Sequence, residues 1–212
     1  MRFEEFHTII ASIFPDLTEE QVEQFRALEG LYKEWNAKIN VISRKDIDEI
    51  YRHHVLHSLM IGAYLKYQRP ETYQSWQEGG LKVLDLGTGG GFPGIPLAIL
   101  FPKVNFTLCD SIGKKIKVAT EVSTALGLKN VETVNARAES LGIKFDHVVS
   151  RAVTALNNFL PWVKGQYKNS ILYLKGGDLN EEIATAMANF RLSKGSVCTC
   201  PSELNNEAAQ QG

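Results

Sequence analysis

Apolar residues recur at helical spacing from the start of the chain. Phe3, Phe6, Ile10 and Ile13 fall on one face of a helix that Pro15-Asp16 ends. Thr18-Glu19-Glu20-Gln21 has the form of a capping box, the threonine accepting from a free N–H of the first turn while the glutamine reaches back. It opens a second helix whose stripe is Val22, Phe25, Leu28, Leu31 and Trp35. A third helix is predicted from 46 to about 66, with Ile47, Ile50, Leu59, Ile61 and Leu65 among its apolar positions. Residues 67–80 mix Gln, Arg, Pro and Gly around Trp76 and read as a connection.

Beyond residue 80 the pattern changes, and short apolar runs alternate with helical segments. Strands are predicted near 82–86, 105–109, 131–135, 146–150 and 170–175, and helices near 93–101, 113–126, 154–164 and 181–190. Regular alternation of this kind implies an α/β fold, a mainly parallel Rossmann-like sheet with helices on both faces. The expected organisation is an N-terminal helical segment over 1–66, a connection over 67–80, the core over 81–200 and a polar tail over 201–212.

Composition narrows the class. A chain of 212 residues with 44% hydrophobic content can bury a substantial core. No apolar run approaches the roughly 20 residues of a membrane span. Glu4, Glu5 and His7 stand where a signal peptide would be basic and then apolar, so a cytoplasmic protein without a membrane partner is expected, most simply a monomer. Cys109, Cys198 and Cys200 suit neither a disulfide framework nor the usual zinc spacing and read as reduced thiols. His53 and His57 are an i, i+4 pair, but no H-E-x-x-H and no third ligand accompany them, so no metal is expected. With a net charge of −1, any nucleic-acid partner has to be gripped by a local basic face.

The chemistry concentrates where Val83-Leu84-Asp85-Leu86 breaks into Gly87-Thr88-Gly89-Gly90-Gly91-Phe92-Pro93-Gly94. A buried strand, a glycine turn and a helix start bring backbone N–H groups up to a ligand. Asp110 closes the second strand 19 residues after Gly91, the place from which an acid holds ribose hydroxyls in doubly wound sheets; capping the next helix is its other reading. Asp85-x-Gly-x-Gly-x-Gly disfavours a nicotinamide enzyme.

Asp85, Gly87, Gly89 and Gly91 resemble the first motif of class I S-adenosylmethionine-dependent methyltransferases. The Phe92-Pro93-Gly94-Ile95-Pro96-Leu97 continuation, the Trp35-Asn36…Asn40 segment, Ser150-Arg151-Ala152 and Leu174-Lys175-Gly176 are similar to the bacterial small-subunit rRNA guanine methyltransferase family that makes 7-methylguanosine, known as RsmG or GidB. That resemblance implies S-adenosyl-L-methionine as cofactor and 16S rRNA, or the small ribosomal subunit, as partner. It implies a cofactor site built from Asp85, Gly87, Gly89, Gly91, Phe92, Asp110, Ala138, Glu139 and Arg151, with Arg151 organising the reacting groups or, alternatively, making a local salt bridge. Arg44, Lys45, Arg52 and Lys175 are the candidate RNA contacts, Lys175 being equally readable as a solvated lysine.

Two departures stand out. The family carries Asp-Ser-Leu where this chain has His57-Ser58-Leu59, and no apolar run after residue 200 supplies the last, antiparallel strand of class I enzymes. The expected chemistry is direct methyl transfer to a ring nitrogen, with no general base and no covalent intermediate, because the nitrogen already has an in-plane lone pair. A methyltransferase of a small molecule or protein, or a non-catalytic RNA-binding assembly factor, would use the same core.

Overall fold

The computed structural model describes residues 1–43, 45–193 and 195–200. Eight α-helices and five strands are present among them, in the order α1 (Phe3–Ile13), α2 (Glu19–Lys38), α3 (His57–Gln68), α4 (Pro70–Glu78), β1 (Lys82–Leu86), α5 (Gly94–Leu100), β2 (Asn105–Asp110), α6 (Gly113–Ala125), β3 (Val131–Asn135), β4 (Phe145–Arg151), α7 (Leu156–Val163), β5 (Tyr167–Leu174) and α8 (Asn180–Phe190). All five strands are parallel and their spatial order is β3-β2-β1-β4-β5. Strand order therefore reverses between β1 and β4, and the carboxyl ends of those two strands open the crevice where doubly wound sheets bind ligands. Asp85 lies opposite Leu108 on one side and Val149 on the other, which sets the register of the crevice.

Alternation along the strands divides the core. Val83, Phe106, Leu108 and Val149 pack with the N-terminal helices, whereas Leu84, Leu86, Cys109 and Val148 face Phe159 and Val163 of α7. Phe6, Phe25, Tyr32 and Tyr51 belong to the same cluster as Ile95, Leu97 and Phe101, so the first 78 residues supply one side of the main core. Each such aromatic or aliphatic side chain contributes roughly 1.5–3 kcal/mol by leaving water. The capping box forms: Thr18 accepts from the Gln21 N–H at 3.2 Å, and the Thr18 N–H donates to Gln21 Oε1 at 2.9 Å. Gln21 also donates to the Ile99 carbonyl at 2.8 Å, fastening α2 to α5.

Two segments differ from expectation. The stretch 67–80 holds a helix, α4, with Pro70 in its first turn and Trp76 fully buried against Phe101, Phe106 and His147. Its Gln, Arg and Gly content signals a loop, but one large apolar ring is enough to hold a short helix once a core is there to receive it. The predicted third helix is broken into a 3-10 turn (Ile47–Glu49), a π-helical turn (Tyr51–Leu56) and α3. The wide turn keeps Tyr51 stacked on Phe6, centroids 4.9 Å apart, while the next residues turn toward the crevice. Among the described residues β3 and β5 are the two edges of the sheet, and no helix is long and apolar enough to cross a membrane.

Candidate cofactor and acceptor site

Past Leu86 the chain turns at Gly87, whose φ of 71° suits glycine. The N–H groups of Gly87 and Thr88 both donate to the Cys109 carbonyl, at 2.8 and 3.1 Å, so the end of β2 pins the loop. Asp85 points inward rather than into the crevice. Its Oδ2 accepts from Thr88 Oγ1 at 2.6 Å and from the Gly94 N–H at 2.7 Å, and the residue has no exposure. Burial pushes its carboxyl up to about 7, against the pull of those two hydrogen bonds and of Arg151. Asp85 thus closes the glycine loop onto the start of α5.

Asp110 sits across the loop. Its Oδ2 accepts from the Gly89 N–H and its Oδ1 from the Ile112 N–H, both at 2.9 Å. Ile112, not Asp110, occupies the N-cap position of α6, so the capping reading is set aside. Each carboxylate oxygen keeps lone-pair capacity beyond these bonds.

A cavity of about 780 Å³ opens over the carboxyl ends of the strands. Gly87, Gly89, Phe92, Asp110, Ala138, Glu139 and Arg151 line it together, with Val41, His57 and Lys115. Asp85 and Gly91 do not; Gly91 packs behind the loop against Ile95 and the Tyr32 hydroxyl. Arg151 extends from the end of β4 with its guanidinium 5.3 Å from the Phe92 ring centroid. Nη1 donates to the His53 carbonyl at 3.1 Å and Nη2 meets His54 Nδ1 at 2.7 Å, so histidine partners replace the salt bridge that was its other reading. Cys109 is buried with its Sγ 3.3 Å from the Ala136 carbonyl, and burial pushes its thiol up to about 11. No thiolate is available there at neutral pH.

The description of the family model that matches residues 21–210 is rRNA small subunit methyltransferase G. The chain is 56% identical to the protein of that name from Flavobacterium psychrophilum over 178 residues, 80% of each chain, and 56% identical to the one from Bacteroides thetaiotaomicron over 182 residues, 82% of this chain and 84% of that one. This chain belongs to that family. Among solved structures it is similar to an S-adenosylmethionine-dependent methyltransferase from Thiobacillus denitrificans in complex with S-adenosyl-L-homocysteine, at 19% identity and a TM-score of 0.44, over 62% of this chain and 55% of that one.

The segment that begins at Trp35-Asn36 does structural work. Asn36 accepts from the Val41 and Ile42 N–H groups at 2.8 and 2.9 Å and donates to the Ile42 carbonyl at 2.9 Å. Because α2 ends at Lys38, Asn40 does not share a helical face with Asn36. The pinned loop drives Val41 against Gly90, where a Cβ would lie 2.9 Å from Val41 Cγ2, and Tyr32 donates to the Gly90 carbonyl at 2.8 Å. Tyr32 and Val41 have no role in the sequence reading; a tyrosine within a buried helix stripe needs a hydroxyl partner, and that requirement was the available signal.

Among the candidate RNA contacts, Arg44 lies outside the described residues. Lys45 and Arg52 are exposed. Lys175 is not available as expected: Nζ donates to Glu182 at 2.6 Å and to the Thr154 carbonyl at 2.9 Å, its side chain only 13% exposed. His57 lines the cavity, and burial followed by Arg151 lowers its pKa. No group of three or more metal-ligating side chains occurs among the described residues.

Proposed function

We propose that the chain transfers the methyl group of S-adenosyl-L-methionine to the N7 nitrogen of a guanine in 16S rRNA. The observation that carries this reading is the convergence of Gly87, Gly89, Asp110, Ala138, Glu139 and Arg151, from four separate segments of the core, on one cavity at the strand-order reversal. The volume suits a small-molecule site of roughly 300–1,000 Å³.

The residues present fit the cofactor. Asp110 has carboxylate lone pairs for ribose hydroxyls, Glu139 supplies a carboxylate acceptor beyond β3 for an adenine amino group while Ala138, its carbonyl taken by Gln166 and Leu141, lines the wall beside it, and the loop at Gly87 and Gly89 lets backbone approach the methionine end. When bound, the cofactor supplies a methyl group on a positive sulfonium. Asp110 and Glu139 put negative charge on the cavity wall, and Phe92 excludes water from it. Arg151 suits an anionic partner, either a carboxylate or an RNA phosphate.

Guanine N7 carries a lone pair in the plane of the base and loses no proton on methylation. The cavity is consistent with that demand. His54 and His57 are weak bases, Arg151 is a cation and Cys109 is an undissociated thiol outside the cavity. Positioning and desolvation then carry the reaction. The test is incubation with labelled S-adenosylmethionine and small-subunit rRNA, naked and assembled, followed by nuclease digestion. Label on 7-methylguanosine supports the reading; label on a pyrimidine or an exocyclic amine, or none on RNA, overturns it. Calorimetry with S-adenosylhomocysteine against NAD tests the cofactor separately.

A further inference from the structure

Arg151 is held by a segment nearly a hundred residues before it. The π-helical turn over Tyr51–Leu56 presents two acceptors side by side, the His53 carbonyl 3.1 Å from Nη1 and His54 Nδ1 2.7 Å from Nη2. The third contact is Phe92, whose ring centroid lies 5.3 Å from the guanidinium and 5.1 Å from the His54 ring centroid. An arginine offers only donors, so the short contact requires His54 Nδ1 to accept, with the ring's proton on Nε2.

Asp85 is the carboxylate that acts most strongly on Arg151, but it does not hold it: its Oδ2 accepts from Thr88 and Gly94, its buried Oδ1 has no hydrogen-bond partner among the described residues, and the guanidinium donates instead to the His53 carbonyl and His54. We propose that His54 is a positioning residue for Arg151, its Nδ1 and the His53 carbonyl together aiming the guanidinium across Phe92 into the cavity. This rests on the reading of that cavity as the methyl-transfer site.

The surroundings favour the neutral ring. Burial first, then Arg151 from β4, lower His54 to about 4; Asp46 opposes the shift, and His53 and His57 on its own segment add to it. The charged or ionisable groups that raise Arg151 against burial are Asp85, Tyr32 and Asp46. Phe92 on the glycine loop is uncharged and cannot stand in as an acceptor.

Three measurements on the full chain test the proposal. His54→Ala should lower kcat for rRNA methylation by about 10- to 100-fold, the size of one lost hydrogen bond to a charge. His54→Asn, whose side-chain oxygen can accept from Nη2, should restore kcat to within about threefold of wild type. In an Arg151→Leu background His54→Ala should cost nothing further, since the histidine acts through the arginine. Wild-type kcat in His54→Ala, equal impairment in Ala and Asn, or additive losses in the double variant each overturn the proposal. A further readout needs no activity: imidazole 15N spectra at pH 7 should show His54 neutral with its proton on Nε2, and the Nδ1–H tautomer overturns the idea. A wild-type chain that shows this tautomer but methylates no RNA would instead sink the function proposed for the cavity.

Discussion

At the residue scale, Asp85 and Asp110 show how two carboxylates on neighbouring strands take different work. Asp85 is fully buried and holds the loop shut, whereas Asp110 stays at the cavity wall. Replacing Asp110 with alanine should weaken S-adenosylhomocysteine binding by about 1.5–3 kcal/mol, the range for a hydrogen bond to a charged group. Calorimetry measures it, and unchanged affinity would remove Asp110 from the site. The titrating groups make a second prediction. His54, lowered from an ordinary 6.5 to about 4, contributes stability that is present above 6.5 and lost as pH falls toward 4. Asp85, raised from 3.8 to about 7, contributes stability that is present below 3.8 and lost as pH rises through 7. The two slopes oppose each other between pH 4 and 6.5. Asp85→Asn should therefore show a steeper fall in urea midpoint than wild type on going from pH 6.5 to 4.5, and parallel curves would refute the assignment.

At the scale of elements, the N-terminal helices are the back wall of the glycine loop. Tyr32 on α2 donates to Gly90, Val41 presses on it, and the π-helical turn holds Arg151. Asn36 organises the loop that carries Val41, through three hydrogen bonds. Asn36→Ala leaves two N–H groups without their acceptor and should cost about 1–3 kcal/mol in chemical denaturation. Because Val41 then loosens over Gly90, cofactor affinity should fall as well. A variant that loses stability while keeping full affinity would show that the contact at Gly90 is passive.

For the whole molecule, a net charge of −1 leaves RNA recognition to local charge. Lys45 and Arg52 are exposed on the segment that also reaches Arg151, whereas Lys175 is tied to Glu182 beside β5. Charge reversal at Lys45 and Arg52 should weaken RNA binding and flatten its salt dependence by roughly 0.7–0.9 per lost phosphate contact, leaving S-adenosylhomocysteine binding alone. Lys175→Met should instead lower stability and leave the salt slope where it was. Filter binding across a salt series distinguishes these outcomes, and a Lys175 variant with a reduced slope would return that lysine to the RNA face.

Local pattern in the sequence was enough for the α/β class, for the placing of all five strands, and for the glycine turn with Asp110 beyond it. β1, β2 and β4 are buried runs bounded by turn residues, β3 and β5 at the two edges are at most half-buried, and periodicity of this kind is a property of neighbours along the chain. β5 alone begins clearly earlier than its pattern suggests, at Tyr167, because Lys168 and Asn169 are polar on an exposed part of an edge strand. What the pattern could not reach was direction. Whether Asp85 turns inward, whether Lys175 meets Glu182 and which groups hold Arg151 depend on partners brought together by the fold, in the last case from 97 and 98 residues away. The same holds for α4, a helix that Trp76 stabilises only where Phe101 and Phe106 are present to bury it. A side chain's type is written in the sequence, but its ionisation and its aim are set by what surrounds it, and only the tertiary structure supplies the surroundings.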